Sequence, residues 1–202
     1  MTDLRIAAAR FGAGLVRPSK QANQRQLESR GESISSLVIR EPKESDIPAH
    51  AQLHVRTWND TDAPLFMNGP PVSVREYQWR EAFARDDCSW FCYVIEAHNG
   101  TLVGFAKGTR EDQSNSAGQL SKIYLLRDYQ RMGLGRRLLG HVVRRFIELG
   151  VKSVWSFVDP RNPSCAFYEA MGAEHPIEDG KPNNSSYVWN DLQKLAAICP
   201  VE

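Results

Sequence analysis

Gly133 and Gly135 stand one residue apart in a turn that also carries Arg131, Arg136 and Arg137. That grouping suits an anion. Without a Cβ, glycine lets a backbone N–H approach a phosphate closely, and guanidinium groups add charge-assisted hydrogen bonds. The flanking elements would aim the turn. Residues 123–126 read as a short strand of branched and aromatic side chains. After the turn, Leu138, Leu139, Val142, Val143, Phe146 and Ile147 recur with a 3.6-residue period, which predicts a helix with one apolar face. Gly150 closes that helix. A helix start leaves its first N–H groups unpaired at the positive end of the dipole, so a phosphate or pyrophosphate is the natural guest.

The motif decides among phosphate ligands. No G-x-x-x-x-G-K-[ST] run occurs, so the nucleotide-triphosphate loop is absent. The dinucleotide fingerprint needs a third glycine three residues after Gly135, where Leu138 stands, and too little chain remains to complete that kind of sheet. What fits is Q/R-x-x-G-x-G/A, realised as Gln130, Arg131, Met132, Gly133, Leu134 and Gly135. This run resembles the acetyl-CoA signature of the GCN5-related N-acetyltransferases, the GNAT superfamily. A second block, Asn162, Ala166, Phe167, Tyr168 and Gly172, is similar to the family's N-x-x-A-x-x-[FY]-Y-x-x-x-G pattern, with one residue fewer between Ala166 and Tyr168. The resemblance spans roughly residues 37–195. The start at Thr57 and Trp58, the proline-containing loop and the Trp79-Arg80 helix look like the small-molecule acetyltransferase-like members.

The resemblance implies an α/β fold: a mixed, mostly antiparallel sheet of about six or seven strands, helices on both faces, and a splayed central parallel pair. It implies acetyl-CoA as co-substrate and transfer of its acetyl group to a primary amine of a small molecule, or of a protein, by direct attack in a ternary complex. Ile123, Leu125, Gln130, Arg131, Met132, Gly133, Leu134, Gly135, Arg136, Asn162 and Tyr168 would hold the cofactor, its pantetheine arm lying in the splay as an added strand would. Tyr168, one helical turn before Gly172, would protonate the leaving thiolate, and the Leu125 N–H would serve the thioester oxygen. Trp58, Phe66 and His54 would line the acceptor site. Many relatives carry a catalytic glutamate on the central strand. Here Gln119 stands in its place, and neutral glutamine cannot act as a base. Glu111, Asp112, His54 or a water chain are the candidates left. That gap keeps a second class open, a non-catalytic acyl-CoA-binding sensor or scaffold.

Composition sets the frame. The 202 residues carry a formal charge of +1, with 42% hydrophobic and 24% charged side chains, as in a soluble globular domain. No global field favours nucleic acid or a membrane surface. Cys88, Cys92, Cys165 and Cys199 match neither a zinc nor a disulfide pattern, which suggests free thiols in a reducing cytoplasm. His50 and His54 lie one turn apart without a third ligand, so no metal is expected. Residues 1–36 are rich in arginine, poor in acids and interrupted by Gly12 and Gly14. They read as a loosely ordered extension, dispensable for catalysis, before a domain spanning 37–202. A monomer or homodimer is expected.

The remaining elements are read from local signals. Residues 37–40 read as the first strand, 47–58 as a helix, and Ser73-x-x-Glu76 as a capping box opening the next helix. Strands over 90–97 and 101–108 flank the Asn99-Gly100 turn. A polar loop covers 110–118, the central strand 119–126, and a parallel strand 154–158. Asn162 would cap a helix with Pro163 at its first position. A loop over 174–186 precedes a last strand at 187–189. Acids in the loops at 59–72 and 174–186, among them Asp60, Asp62, Glu174, Glu178 and Asp179, could attract a cationic amine.

Overall fold

The computed structural model describes residues 19–85, 87–110 and 117–201. In chain order these form helix α1 (Lys20–Ser29), strand β1 (Val38–Arg40), helices α2 (Ile47–Thr61) and α3 (Val72–Phe83), and strands β2 (Trp90–Glu96), β3 (Leu102–Arg110) and β4 (Ala117–Leu125). Helix α4 (Leu134–Glu148), strand β5 (Ser153–Phe157), helix α5 (Cys165–Ala170), strands β6 (Ile177–Glu178), β7 (Lys181–Pro182) and β8 (Ser186–Trp189), and helix α6 (Leu192–Ile198) come next. The main sheet has six strands in the order β1-β2-β3-β4-β5-β8, and only β4 and β5 run parallel.

Alternation along β2 shows how the two faces are filled. Phe91 and Tyr93 point to α4, their rings 4.9 Å from Phe146 and 5.2 Å from His141. Trp90 points the other way, its ring 6.1 Å from Trp79 and 5.4 Å from Phe83 of α3. Helix α4 buries the periodic face that the sequence predicts: Leu138, Leu139, Val142, Val143 and Phe146 are fully buried.

Two irregularities interrupt the centre of the sheet. Lys107 pairs with Lys122 but Gly108 with Leu120, so Ser121 is an extra residue on β4, a bulge that re-aims the side chains beyond it. On the other edge of β4, pairing with β5 covers only Ala117 to Gln119, opposite Ser153 to Trp155. Past that point the parallel strands separate, the Ser156 hydroxyl still donating to the Leu120 carbonyl at 2.9 Å.

Several local expectations are corrected. Helix α3 starts at Val72 with Pro71 as its N-cap, so Ser73 lies inside the first turn and the capping box does not form. Helix α5 starts at Cys165, two residues later than predicted, because Asn162 accepts from the Ser164 N–H and hydroxyl and closes a turn there instead. The expected loop over 174–186 contains the β6–β7 hairpin, its turn made by Asp179 and Gly180 with positive φ. The ends of the expected loop over 110–118 belong to β3 and β4, while 111–116 lie outside the described residues.

Of the expected loose extension, residues 1–18 also lie outside the described residues. Residues 20–29 are helix α1, which is fastened to the domain rather than loose. Leu27 is 2% exposed and belongs to the core. The Asn23 side-chain amide donates to the carbonyls of Arg127 and Gln130, at 2.7 and 2.9 Å.

Candidate active site

A cleft of about 850 Å³ opens where β4 and β5 separate. At one end is the glycine turn. Leu126 donates its N–H to the Val103 carbonyl of β3, and alternate strand residues point their backbone groups to opposite sides. The backbone of Leu125, one residue earlier, is therefore aimed at the cleft side. Its carbonyl accepts from Gln130 Nε2 at 3.0 Å, which folds the turn back onto the strand. Arg131 and Gly133 adopt left-handed conformations, φ 67° and 86°, and bring the chain round to start α4. Gly133 is the N-cap residue, and the first intrahelical bond runs from the Arg137 N–H to its carbonyl. The N–H groups of Leu134, Gly135 and Arg136 thus lack helical partners.

Ile123, Leu125, Gln130, Arg131, Met132, Gly133, Gly135 and Arg136 all line the cleft, and Lys20 of α1 joins them. Leu134 differs. Its side chain is fully buried under the sheet and lies outside the lining, so it can offer only its backbone N–H.

The far wall is built from α2, the segment after it, β4 and α5. Trp58 and Phe66 line it with ring centroids 6.4 Å apart, and the Trp58 indole donates to the Met67 carbonyl at 3.1 Å. Tyr168 lines it from α5. It is 6% exposed, its ring stacked 5.1 Å from Tyr187 and tilted against Trp189 at 5.9 Å. Burial pushes its phenol up to about 12, with the Ser156 hydroxyl pulling the other way, so it is protonated at neutral pH. Asn162 also faces the cleft, at the head of the turn before α5.

His54 does not reach this wall. It is 3% exposed, on the sheet-facing side of α2, with its ring 5.2 Å from Phe105 and 6.0 Å from Trp79. Burial lowers its pKa to about 2, leaving a neutral ring inside the core. Glu111 and Asp112 lie outside the described residues. Gln119 lines the cleft as a neutral amide.

Three lining residues carry more than the sequence announced. Asp62, 8% exposed, accepts from the Tyr124 hydroxyl at 2.9 Å and from the Asn162 amide at 3.2 Å. Burial raises its pKa above the ordinary carboxylate value, and those two hydrogen bonds oppose the shift. Lys122, on the same strand as Tyr124, is lowered to about 8, chiefly by burial. Among the described residues no group of three or more His, Cys, Asp or Glu side chains could hold a metal ion, and no helix is long and apolar enough to cross a membrane.

The cleft therefore offers an anion-binding turn, an open strand edge and a buried, proton-competent wall. Residues 51–173 match the Acetyltransferase (GNAT) family. Over 174 residues the chain is 30% identical to an uncharacterized N-acetyltransferase, YuaI, of Bacillus subtilis (strain 168), covering 80% of this chain and 98% of that protein. Spermidine N-acetyltransferase from Vibrio cholerae, solved with CoA and spermine, shares the fold at a TM-score of 0.60 and 16% identity, covering 80% of this chain and 99% of that one. YncA of Salmonella typhimurium, solved with its cofactor acetyl-CoA, does so at 0.59 and 18%, covering 77% and 94%. The chain belongs to the GNAT acetyltransferase family.

Proposed function

We propose that this protein transfers the acetyl group of acetyl-CoA to a primary amine of a small molecule, by direct attack while both substrates share the cleft. One observation carries the reading: a single cleft runs from an unpaired helix start, along the free edge of β4, to a wall holding Trp58, Phe66, Asp62 and Tyr168. In this reading the N–H groups at the start of α4, with Arg131 and Arg136, take the pyrophosphate. Ile123 and Leu125 offer backbone partners to the pantetheine arm, as a sheet edge does to an added strand. The Leu125 N–H stabilises the thioester oxygen as charge develops, and Tyr168 supplies a proton to sulfur. Asn162 borders the arm, while Trp58 and Phe66 flank the acceptor. No covalent intermediate is needed when both reactants are positioned together. YncA holds acetyl-CoA and the Vibrio enzyme holds CoA with spermine, which supports both substrate classes. The four free cysteines suit a reducing cytoplasm.

Two measurements test this. Gly133→Asp puts a side chain and a charge into a left-handed position facing the pyrophosphate, and should weaken CoA binding at least tenfold, about 1.4 kcal/mol. Unchanged affinity by calorimetry in a folded variant would remove the turn from the site. Gln119 in the cleft wall favours one rival, an acyl-CoA sensor without turnover. Release of CoA thiol with a panel of small amines separates the two, since a sensor binds CoA and releases none.

A further inference from the structure

Transfer to an amine needs a proton acceptor, and neither Gln119 nor His54 can be one: Gln119 is neutral and His54 is sealed in the core. We infer that Asp62 is the general base that takes the proton from the incoming ammonium group. This rests on the acetyltransferase reading of the cleft.

The placement of Asp62 is unusual for its local structure. It stands at the C-cap of α2, its N–H donating to the Trp58 carbonyl at 2.7 Å, where an acid ordinarily faces solvent and is disfavoured by the helix dipole. Here the carboxylate turns inward. One oxygen accepts from Tyr124 on β4, the other from Asn162 in the segment after β5, so three elements converge on it. Both partners are neutral, and no ion pair among the described residues includes it. A buried carboxylate held by neutral donors alone is costly, and a neutral amide would avoid that cost; groups kept at such a cost cluster at functional sites.

The surrounding charges assign the role. Tyr168 is close enough for the Asp62 charge to help hold its phenol protonated. Two groups of one wall are thus given opposite duties, one carboxylate whose proton affinity burial raises above the ordinary value and one phenol that keeps its proton. Asp159, which also acts on Asp62, is committed to Arg161 at 2.7 Å. Asp60 of α2 and Lys122 of β4 also line the cleft, as do Lys20, Arg127, Arg131 and Arg136 toward the glycine turn.

Protons balance across the reaction. Asp62 takes one proton from the ammonium and later releases it to solvent. The neutral amine attacks the thioester carbon, the C–N bond forms and the C–S bond breaks. The second N–H proton replaces the one that Tyr168 gives to sulfur. The products are the amide, CoA thiol and one proton.

The test is the pH profile of kcat/KM for whichever panel amine turns over. Asp62→Asn should lower kcat at least a hundredfold, within the range for losing a general base. Its CoA affinity by calorimetry should stay within threefold. Tyr124→Phe removes a hydrogen bond that favours the charged carboxylate, so the acidic limb should move to higher pH, which a purely structural tyrosine would not cause. Lys122→Met should leave that limb in place. Asp62→Asn activity within threefold of the parent, an unmoved limb in Tyr124→Phe, or loss of the limb in Lys122→Met would each overturn the assignment. If Asp62→Asn does not fold, the Tyr124→Phe limb decides. A parent chain that turns over while these variants miss their expectations defeats Asp62 alone. A parent chain inert to every amine defeats the acetyltransferase reading, and this inference falls with it.

Discussion

Tyr168 is held by its ring. The ring stacks on Tyr187 and lies tilted against Trp189, so replacing it with phenylalanine keeps the packing and removes one hydroxyl. In the proposed reaction that hydroxyl meets the charge growing on sulfur, an interaction stronger in the transition state than in the ground state. Tyr168→Phe should therefore lower kcat by roughly ten- to a thousandfold. The KM for acetyl-CoA should stay within a few-fold, since the glycine turn proposed to take the pyrophosphate is untouched. A full-activity variant would leave the tyrosine as a core residue. A raised KM with unchanged kcat would make it a binding residue only. Tyr168 could be singled out in the sequence because its motif is local, four residues before Gly172. Asp62 could not, because its chemistry is made by Tyr124 and Asn162, 62 and 100 residues away. Nothing in the neighbourhood of residue 62 tells an inward carboxylate from a solvated one.

Helix α1 is fastened to the chain that leads into the glycine turn. The Asn23 amide ties the Arg127 and Gln130 carbonyls, Gln26 and Arg30 both reach Asp128, and the Tyr129 hydroxyl donates to Glu32 at 2.6 Å. Asn23→Ala removes both Asn23 hydrogen bonds, a loss of about 1 kcal/mol per hydrogen bond, although the Arg127 carbonyl still accepts from the Gln130 N–H at 3.2 Å. If the helix pre-shapes the turn, CoA affinity should fall by roughly fivefold or more, with little change at saturating acetyl-CoA. Calorimetric titration of the variant reads this directly, and unchanged affinity would reduce α1 to a stabilising attachment. The sequence conceals the attachment because α1 buries only Asn23 and Leu27, one of them polar, which leaves no apolar period to read. Helix α4 is the opposite case. Its apolar residues recur every three or four positions, and those at the core of the stripe are the ones buried. The separation of β4 from β5 lies between these extremes. Both strands are visible as apolar runs, but where their pairing stops, at Gln119 and Trp155, depends on how the whole sheet twists and bulges.

The molecule as a whole closes around α4, which joins the glycine turn at its start to the C-terminal segment along its length. Gly140 makes that contact possible: a Cβ there would lie 2.7 Å from the Cys199 carbonyl oxygen and 2.8 Å from that of Pro200. Arg144, one turn on, donates to the carbonyls of Ala196 and Cys199 and satisfies the end of α6. Gly140→Ala should force that segment away and destabilise the fold by about 1–3 kcal/mol, as overpacking does. For a chain of this size that is a fall in Tm of roughly 2 °C or more. An unchanged Tm in a thermal scan would mean that the C-terminal segment yields freely. The central claim for the whole molecule is that acetyl-CoA and a small amine occupy one cleft together and react directly. Initial-velocity kinetics, with acetyl-CoA and the best panel amine varied against each other, test it most directly. The account predicts intersecting double-reciprocal lines and CoA release that requires the amine. Parallel lines, the mark of an acetyl-enzyme intermediate, or no amine-dependent release at all, would contradict it.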